Sequence, residues 1–309
     1  MTRAWGALAW GLGQVAGAPL VLAAVLLVTL TAAAPFGVVL GARLQTALAT
    51  QPPISRNATD IDPEWWMEYR AHARGLEATF TPVVIGFAAP LANLSALADG
   101  TRQPVVLIIP MVVAGVIWAL LWGALIARFD GGRVGFRQLA AAARRHAGRF
   151  VAIGALAAAT HVALYLTIHA LLFGPVFAAL SARAESERDA FFWRVLLYVI
   201  FGILISVVSL VADYARVSMA VAGTPTVREA VRDSLRFVTS HRAAVSALYL
   251  STGLLFVALL TTYYFAETLG GTRIGGWRGA AVAQAYIVAR LAIRMTFIAA
   301  EVRLFKAIG

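Results

Sequence analysis

Six apolar runs constrain this chain more than any other feature. They lie near Pro19–Leu40, Val105–Ala127, Val151–Leu180, Val195–Tyr214, Ala244–Phe265 and Ala280–Ala300. Each has about the 20 residues that a helix needs to cross a hydrocarbon core roughly 30 Å thick. A backbone in lipid must satisfy its own N–H and C=O groups, which leaves the α-helix as the form such a run takes. Charge content agrees: 13% of residues are charged and 61% hydrophobic, whereas soluble domains carry about 25% charged residues. The expectation is an all-α polytopic membrane helical bundle with six transmembrane helices, forming a single domain over residues 1–309. The first run resembles a signal peptide in having Arg3 near the start and Ala32-Ala33-Ala34 near its end. The long stretch before it and Pro35 after the alanines favour a retained helix.

Net charge is +11, and Lys306 is the only lysine. In a soluble protein such a balance would point to nucleic acid. Here the arginines flank apolar runs, so no nucleic-acid partner is expected and the positive-inside rule applies. Arg128, Arg133, Arg137, Arg144, Arg145 and Arg149 follow the second run, while Arg216, Arg228, Arg232, Arg236 and Arg242 follow the fourth. Arg3, Arg303 and Lys306 lie near the ends. With six spans, all these groups fall on one side. Both termini are then expected in the cytoplasm of a bacterial inner membrane.

Thr79–Ala98 tests the count. It is fairly apolar but holds Pro82, Pro90, Asn93 and Ser95. If it spanned, the arginines after Ala127 would move to the other side, so it is expected to be re-entrant or interfacial within an external region, 41–103. In that region Asp62 and Pro63 form a helix start, with Glu64 in the first turn. The helix would carry Trp65, Trp66 and Tyr69, with Trp65, Tyr69 and His72 on one face. Two roles stand for these aromatics: anchors at the headgroup level, or a docking surface for a lipid or protein.

A basic amphipathic stretch precedes a pair of spans three times, at Thr2–Gly17, Val134–Arg149 and Thr226–Arg242. In the third, Val227, Val231, Leu235 and Val238 make an apolar stripe beside Arg228, Arg232 and Arg236, the pattern of a helix lying in the membrane interface. A threefold helix-plus-hairpin repeat and shared insertion constraints both account for the pattern.

Ionisable groups inside spans are the candidate functional residues. Arg290, Arg294 and Glu301 recur at spacings of four and seven, hence on one helix face. Asp213 lies in the fourth span at about the depth of Arg294, so a pair with Arg294, or else Arg290, is expected. His161 and His169 share a face of the third span, as hydrogen-bonded interior histidines or a proton relay. The chain has no cysteine, which excludes disulfides and thiolate chemistry. Walker, dinucleotide and HExxH motifs are missing, so no cofactor, metal or catalytic residue is expected.

At the end of the fourth span, Asp213-Tyr214-Ala215-Arg216-Val217 leads into a turn, Ala222-Gly223-Thr224-Pro225, and then the basic stretch 227–241 and another span. This final third resembles uncharacterised six-helix bacterial membrane proteins and is similar to the membrane domain attached to some glycerophosphodiester phosphodiesterases. The resemblance implies a helical membrane bundle. It lends neither activity nor catalytic residues, since no phosphodiesterase domain is expected within these 309 residues. The leading expectation is a non-catalytic subunit or scaffold of a larger membrane complex, partnered by lipids and by another membrane protein or further copies of itself. The alternative is a transporter or lipid-handling protein for an anionic solute or lipid headgroup.

Overall fold

The computed structural model describes residues 2–49, 63–80, 88–101, 105–132, 134–269 and 277–309. Its regular structure there is helical: α1 (Thr2–Ala16), α2 (Pro19–Ala49), α3 (Pro63–His72), α4 (Ala88–Ala98), α5 (Ile108–Gly131), α6 (Phe136–Leu164), α7 (Phe177–Ser181), α8 (Glu187–Val217), α9 (Val227–Ser240), α10 (Arg242–Leu269) and α11 (Trp277–Ile308). Six helical stretches are long and apolar enough to cross a membrane, and each contains one of the expected runs. The chain has the character of a multi-pass membrane protein. The hydroxyls of Thr29, Thr160, Ser206 and Thr261 donate to carbonyls one turn back, which satisfies them within their own helices.

The third span is the least regular. Helix α6 runs through two π-helical turns, Tyr165–His169 and Leu172–Val176, into α7. Gly174 leaves the helical region (φ −92°, ψ −106°) just before Pro175, which has no N–H to continue the ladder. At the other end of this span, the basic stretch expected to lie separately in the interface is continuous with it. Arg137, Arg144, Arg145 and Arg149 sit on α6 itself, because α5 and α6 are joined by a turn of only a few residues. The Gly135 N–H donates to Gln138 Oε1 and starts α6 without a preceding helix.

The first and third basic stretches do form separate helices, α1 and α9. Helix α9 is capped by Thr226, whose hydroxyl accepts from the Glu229 N–H. Its buried residues are Ala230, Ser234 and Phe237, while Leu235 of the expected apolar stripe is exposed. The face is rotated because Ala230 is small and Ser234 donates to the Val211 carbonyl at 2.7 Å, drawing α9 close to α8. Arg228, Arg232 and Arg236 remain exposed.

One end of the bundle gathers α1, α9, the α5–α6 turn and the chain's C-terminus; Lys306 of α11 reaches Asp130 of α5 at 2.8 Å. The opposite end holds α3 and α4. Among the described residues α4 has 11 residues, roughly 16 Å at helical rise. The N-cap expected at Asp62, and residues 81–87 of the ambiguous stretch, lie outside the described residues. Trp66, rather than His72, joins the Trp65–Tyr69 stack, and Phe80 closes the cluster edge-on. The Tyr69 hydroxyl donates to the Glu77 carbonyl at 3.0 Å, and burial together with Glu77 raises its pKa above the ordinary tyrosine value. His72 is exposed and bonds back to Glu68.

Three side chains of the third and fourth spans hold the end of α4. Tyr165 donates to the Leu97 carbonyl at 2.6 Å, and the His169 Nε2 lies 2.9 Å from the Ala98 carbonyl. The Tyr198 hydroxyl donates to Asp99, which holds that carboxyl below the usual range. These contacts satisfy carbonyls that a helix end leaves open. Gly100 ends the helix with φ +61°, and a Cβ there would sit 3.1 Å from His169 Cε1 and 3.2 Å from Tyr165 Cδ1. Gly100→Ala is therefore expected to lose about 1–2 kcal/mol from the left-handed backbone alone. Amide exchange across 88–99 should accelerate while the six spans stay protected; unchanged exchange in α4 would refute the role given to this turn.

Candidate functional site

The intramembrane charges meet where α5, α6, α8 and α11 converge. Helix α5 contributes Trp118 and Trp122, one turn apart and so on one face. The Arg294 guanidinium of α11 lies over the Trp118 ring with Cζ 3.8 Å from its centroid, and the Arg216 guanidinium of α8 lies 5.3 Å from the Trp122 centroid. Two arginines from different helices thus stack on a two-tryptophan ladder, an arrangement that suits the planar, weakly hydrated guanidinium. Gly154 of α6 leaves room beside Arg216, whose Nη2 would lie 3.6 Å from a Cβ at that position.

Asp213 does not pair with Arg294 or Arg290. It accepts from Arg216 Nη1 at 2.5 Å, one turn away on the same helix. The expectation came from matching depths across two helices, which fixes the level of a side chain but not its direction around the helix axis. Arg216, at i+3, has both. Arg294 stays within electrostatic reach of Asp213, Arg216 and Glu301, but among the described residues it has no ion pair and no hydrogen bond. Its side chain is exposed, with the Trp118 ring covering one face of the guanidinium. Arg290 is also exposed, with Cζ 5.9 Å from the Phe256 ring centroid of α10.

The common face of Arg290, Arg294 and Glu301 passes from open to closed along α11. Between Met295 and Leu304 most residues of the helix are buried, and Glu301 is fully inaccessible, with neither carboxyl oxygen hydrogen-bonded. The Tyr214 hydroxyl of α8 is likewise buried without a partner.

Trp118 belongs to a second feature. It closes the inner end of an apolar cleft of about 410 Å³ between α2 and α5, lined by Thr29, Phe36 and Pro110 and bounded at its outer mouth by Leu76 and Thr79. Its volume is that of a small-ligand site. The cleft and the exposed Arg294 guanidinium thus share one aromatic ring.

The remaining candidates lie elsewhere. His161 Nε2 is 3.3 Å from the Ile205 carbonyl, and His169 holds α4 among Tyr165, Phe173 and Phe201. Trp65, Trp66 and Tyr69 are in the α3 cluster with Phe80 and not at the charged site. Sequence reasoning missed Trp118, Trp122, Arg216 and Tyr214. The signals were present: a Trp pair at i, i+4 inside a span, and an acid followed by arginine at i+3.

No family model matches the chain, and neither a curated protein nor a solved structure matches it. The likeness to phosphodiesterase-linked membrane domains gains no support from these comparisons.

Proposed function

We propose that this protein is a lipid-handling membrane protein that holds an anionic amphiphile, its phosphate on Arg294 and Arg290 and part of its acyl chain in the α2–α5 cleft. The observation behind this reading is Arg294: an accessible guanidinium deep in a span, with no acid paired to it, on the ring that also ends an apolar cleft. A charge at such depth costs at least about 2.5–3.5 kcal/mol when left without a partner. A phosphate offers that partner, and guanidinium binds it through two parallel hydrogen bonds. An acyl chain matches the aliphatic walls beyond Trp118. The reading takes up the second of the two sequence expectations in preference to the scaffold. The arginine-rich end that gathers α1, α9 and the C-terminus is assigned to the cytoplasm of a bacterial inner membrane, by the positive-inside rule.

The test is gentle extraction of the whole chain from native membranes, followed by native mass measurement with identification of bound lipid. The wild type is expected to retain an anionic phospholipid. Arg294→Gln should lower its occupancy at least tenfold, while Arg236→Gln, on the exposed face of α9, should leave it unchanged. Equal occupancy in the Arg294 variant overturns the proposal. A stoichiometric protein partner with no bound lipid overturns it too, and would restore the scaffold reading.

A further inference from the structure

The depth of the proposed anion site can be measured along the helices that form it. Helices α5 and α11 run in the same direction and in register. Arg294 stacks on Trp118, and twelve residues further along both helices Lys306 reaches Asp130. Twelve residues are about 18 Å at helical rise. In the other direction the α5 wall of the cleft extends from Trp118 to Leu107, about 16 Å. Leu76 and Thr79 at its mouth flank Glu77, whose carboxylate faces Arg43 at 3.9 Å. A partly exposed ion pair thus marks each end, and the interval of roughly 34 Å slightly exceeds a hydrocarbon core of about 30 Å. Arg294 falls midway between the two pairs. Helix α10 gives the same level independently, since Phe256, which faces Arg290, lies halfway along Arg242–Leu269.

At that level both guanidiniums are on the outside of the bundle. Arg290 lies one turn from Arg294 on the same face of α11, and both side chains are exposed. Each has one ring beside it, Phe256 of α10 or Trp118 of α5, and among the described residues neither has an ion pair. The cost of a charge in a bilayer peaks at the midplane and falls toward the interfaces. An arginine exposed there thins the bilayer and draws water and headgroups inward. For a phospholipid passing between leaflets, the same depth is where its phosphate is worst solvated. The two arginines therefore stabilise the crossing headgroup where its energy is highest and leave it little changed in either leaflet. Stabilisation confined to the high point of a path is what raises a rate.

Resting on the anion site proposed above, we infer that this protein moves anionic phospholipids between the two leaflets. The lipid held by Arg294 and Arg290 is at the halfway point of its crossing. Its headgroup passes along the outside of α11, between Trp118 of α5 and Phe256 of α10, while its chains stay in the apolar cleft and the surrounding hydrocarbon. Two guanidiniums about 6 Å apart along the axis let the phosphate pass from one to the other, so that binding helps it enter without holding it fast. No covalent bond is made or broken, and net movement follows the lipid's own gradient in either direction. Charge sets the preferred substrate. Phosphatidylglycerol has no cationic group to repel the arginines, whereas the choline of phosphatidylcholine does.

The experiment uses the full-length chain in sealed phosphatidylcholine liposomes with a trace of phosphatidylglycerol carrying a fluorophore on its acyl chain. Dithionite added outside bleaches the outer leaflet, and the remaining signal then falls only as fast as lipid arrives from the inner one. A soluble fluorophore trapped in the lumen verifies that the liposomes stay sealed. Wild-type protein should speed the second phase about tenfold or more over protein-free liposomes, and phosphatidylcholine with the same fluorophore should cross more slowly. Arg294→Gln and Arg290→Gln should each lower the protein-dependent rate about tenfold or more, while Arg236→Gln on α9 should match the wild type. Should Arg294→Gln fail to give a monodisperse chain, Arg290→Gln carries the comparison. Native mass measurement of bound phosphatidylglycerol on the same preparations separates movement from binding. Retention that depends on Arg294, with crossing no faster than in protein-free liposomes, overturns the movement and leaves the anion site standing. Crossing that survives in both arginine variants overturns the part given to these residues, and equal rates for the two lipids overturn the charge preference. Absence of both Arg294-dependent retention and crossing overturns the anion site, and the movement with it.

Discussion

Arg216→Leu is expected to destabilise the bundle by about 3–5 kcal/mol, more than the loss of any other single charge. The cost is that of leaving a buried ion without its partner. Asp213 and Arg216 are 19% and 13% exposed, and they touch at 2.5 Å. Removing the guanidinium strands the Asp213 carboxylate between α8 and its neighbours. Arg294 is the nearest other cation, but it is stacked on Trp118 and beyond ion-pair distance. The double replacement Asp213→Leu with Arg216→Leu should cost much less than Arg216→Leu alone, because it removes both charges and fills the same space with apolar atoms. The readout is the thermal midpoint of the detergent-solubilised chain, followed as loss of the monodisperse peak on heating. Comparable midpoints for the wild type and Arg216→Leu would show that Asp213 finds another partner or water, and that the pair is not structural.

How much of this arrangement could be read from residues alone depended on which physical rule governed each part. The six spans were legible because length and apolarity answer to one dominant constraint, the bilayer. The proline-bearing stretch 79–98 stayed out of that count because spanning it would reverse the charge pattern, and among the described residues six helices are long and apolar enough to cross. Less was legible where direction around a helix axis decides the outcome. Counting residues placed Asp213 and Arg294 at one depth, and their electrostatic reach shows that this level was close. It could not show that Arg216 already occupied the carboxylate, nor that Trp118 occupied the Arg294 guanidinium. The i, i+4 spacing of Trp118 and Trp122 puts them on one face, and only the packed bundle reveals that this face meets two arginines. The continuity of α6 through its arginines was missed for a related reason. Basic residues were read as marking the end of a span, although a helix can continue past the hydrocarbon.

Helix α1 offers the sharpest steric test. A Cβ on Gly11 would lie 2.6 Å from the Thr296 carbonyl oxygen and 3.2 Å from the Ala300 backbone nitrogen. Both are backbone atoms of α11, so no side chain can swing aside to make room. Gly11→Leu is therefore expected to push α1 off α11, at a cost of about 1–3 kcal/mol or more from overpacking. Ala4, Ala7 and Leu8, buried on this face, would lose their contacts with it. Two residues on, a Cβ on Gly13 would meet nothing within 4 Å, and Gly13→Ala should be neutral or gain up to about 1 kcal/mol from helix propensity. The contrast separates a glycine required by close approach from one that is incidental. Hydrogen exchange of the α1 amides reads it directly: fast in Gly11→Leu, slow in Gly13→Ala and the wild type. The same displacement would bring water toward the inner half of α11, where Glu301 is now sealed. Slow α1 exchange in Gly11→Leu would mean that α11 yields instead, and that the tight contact is not what holds α1 in place.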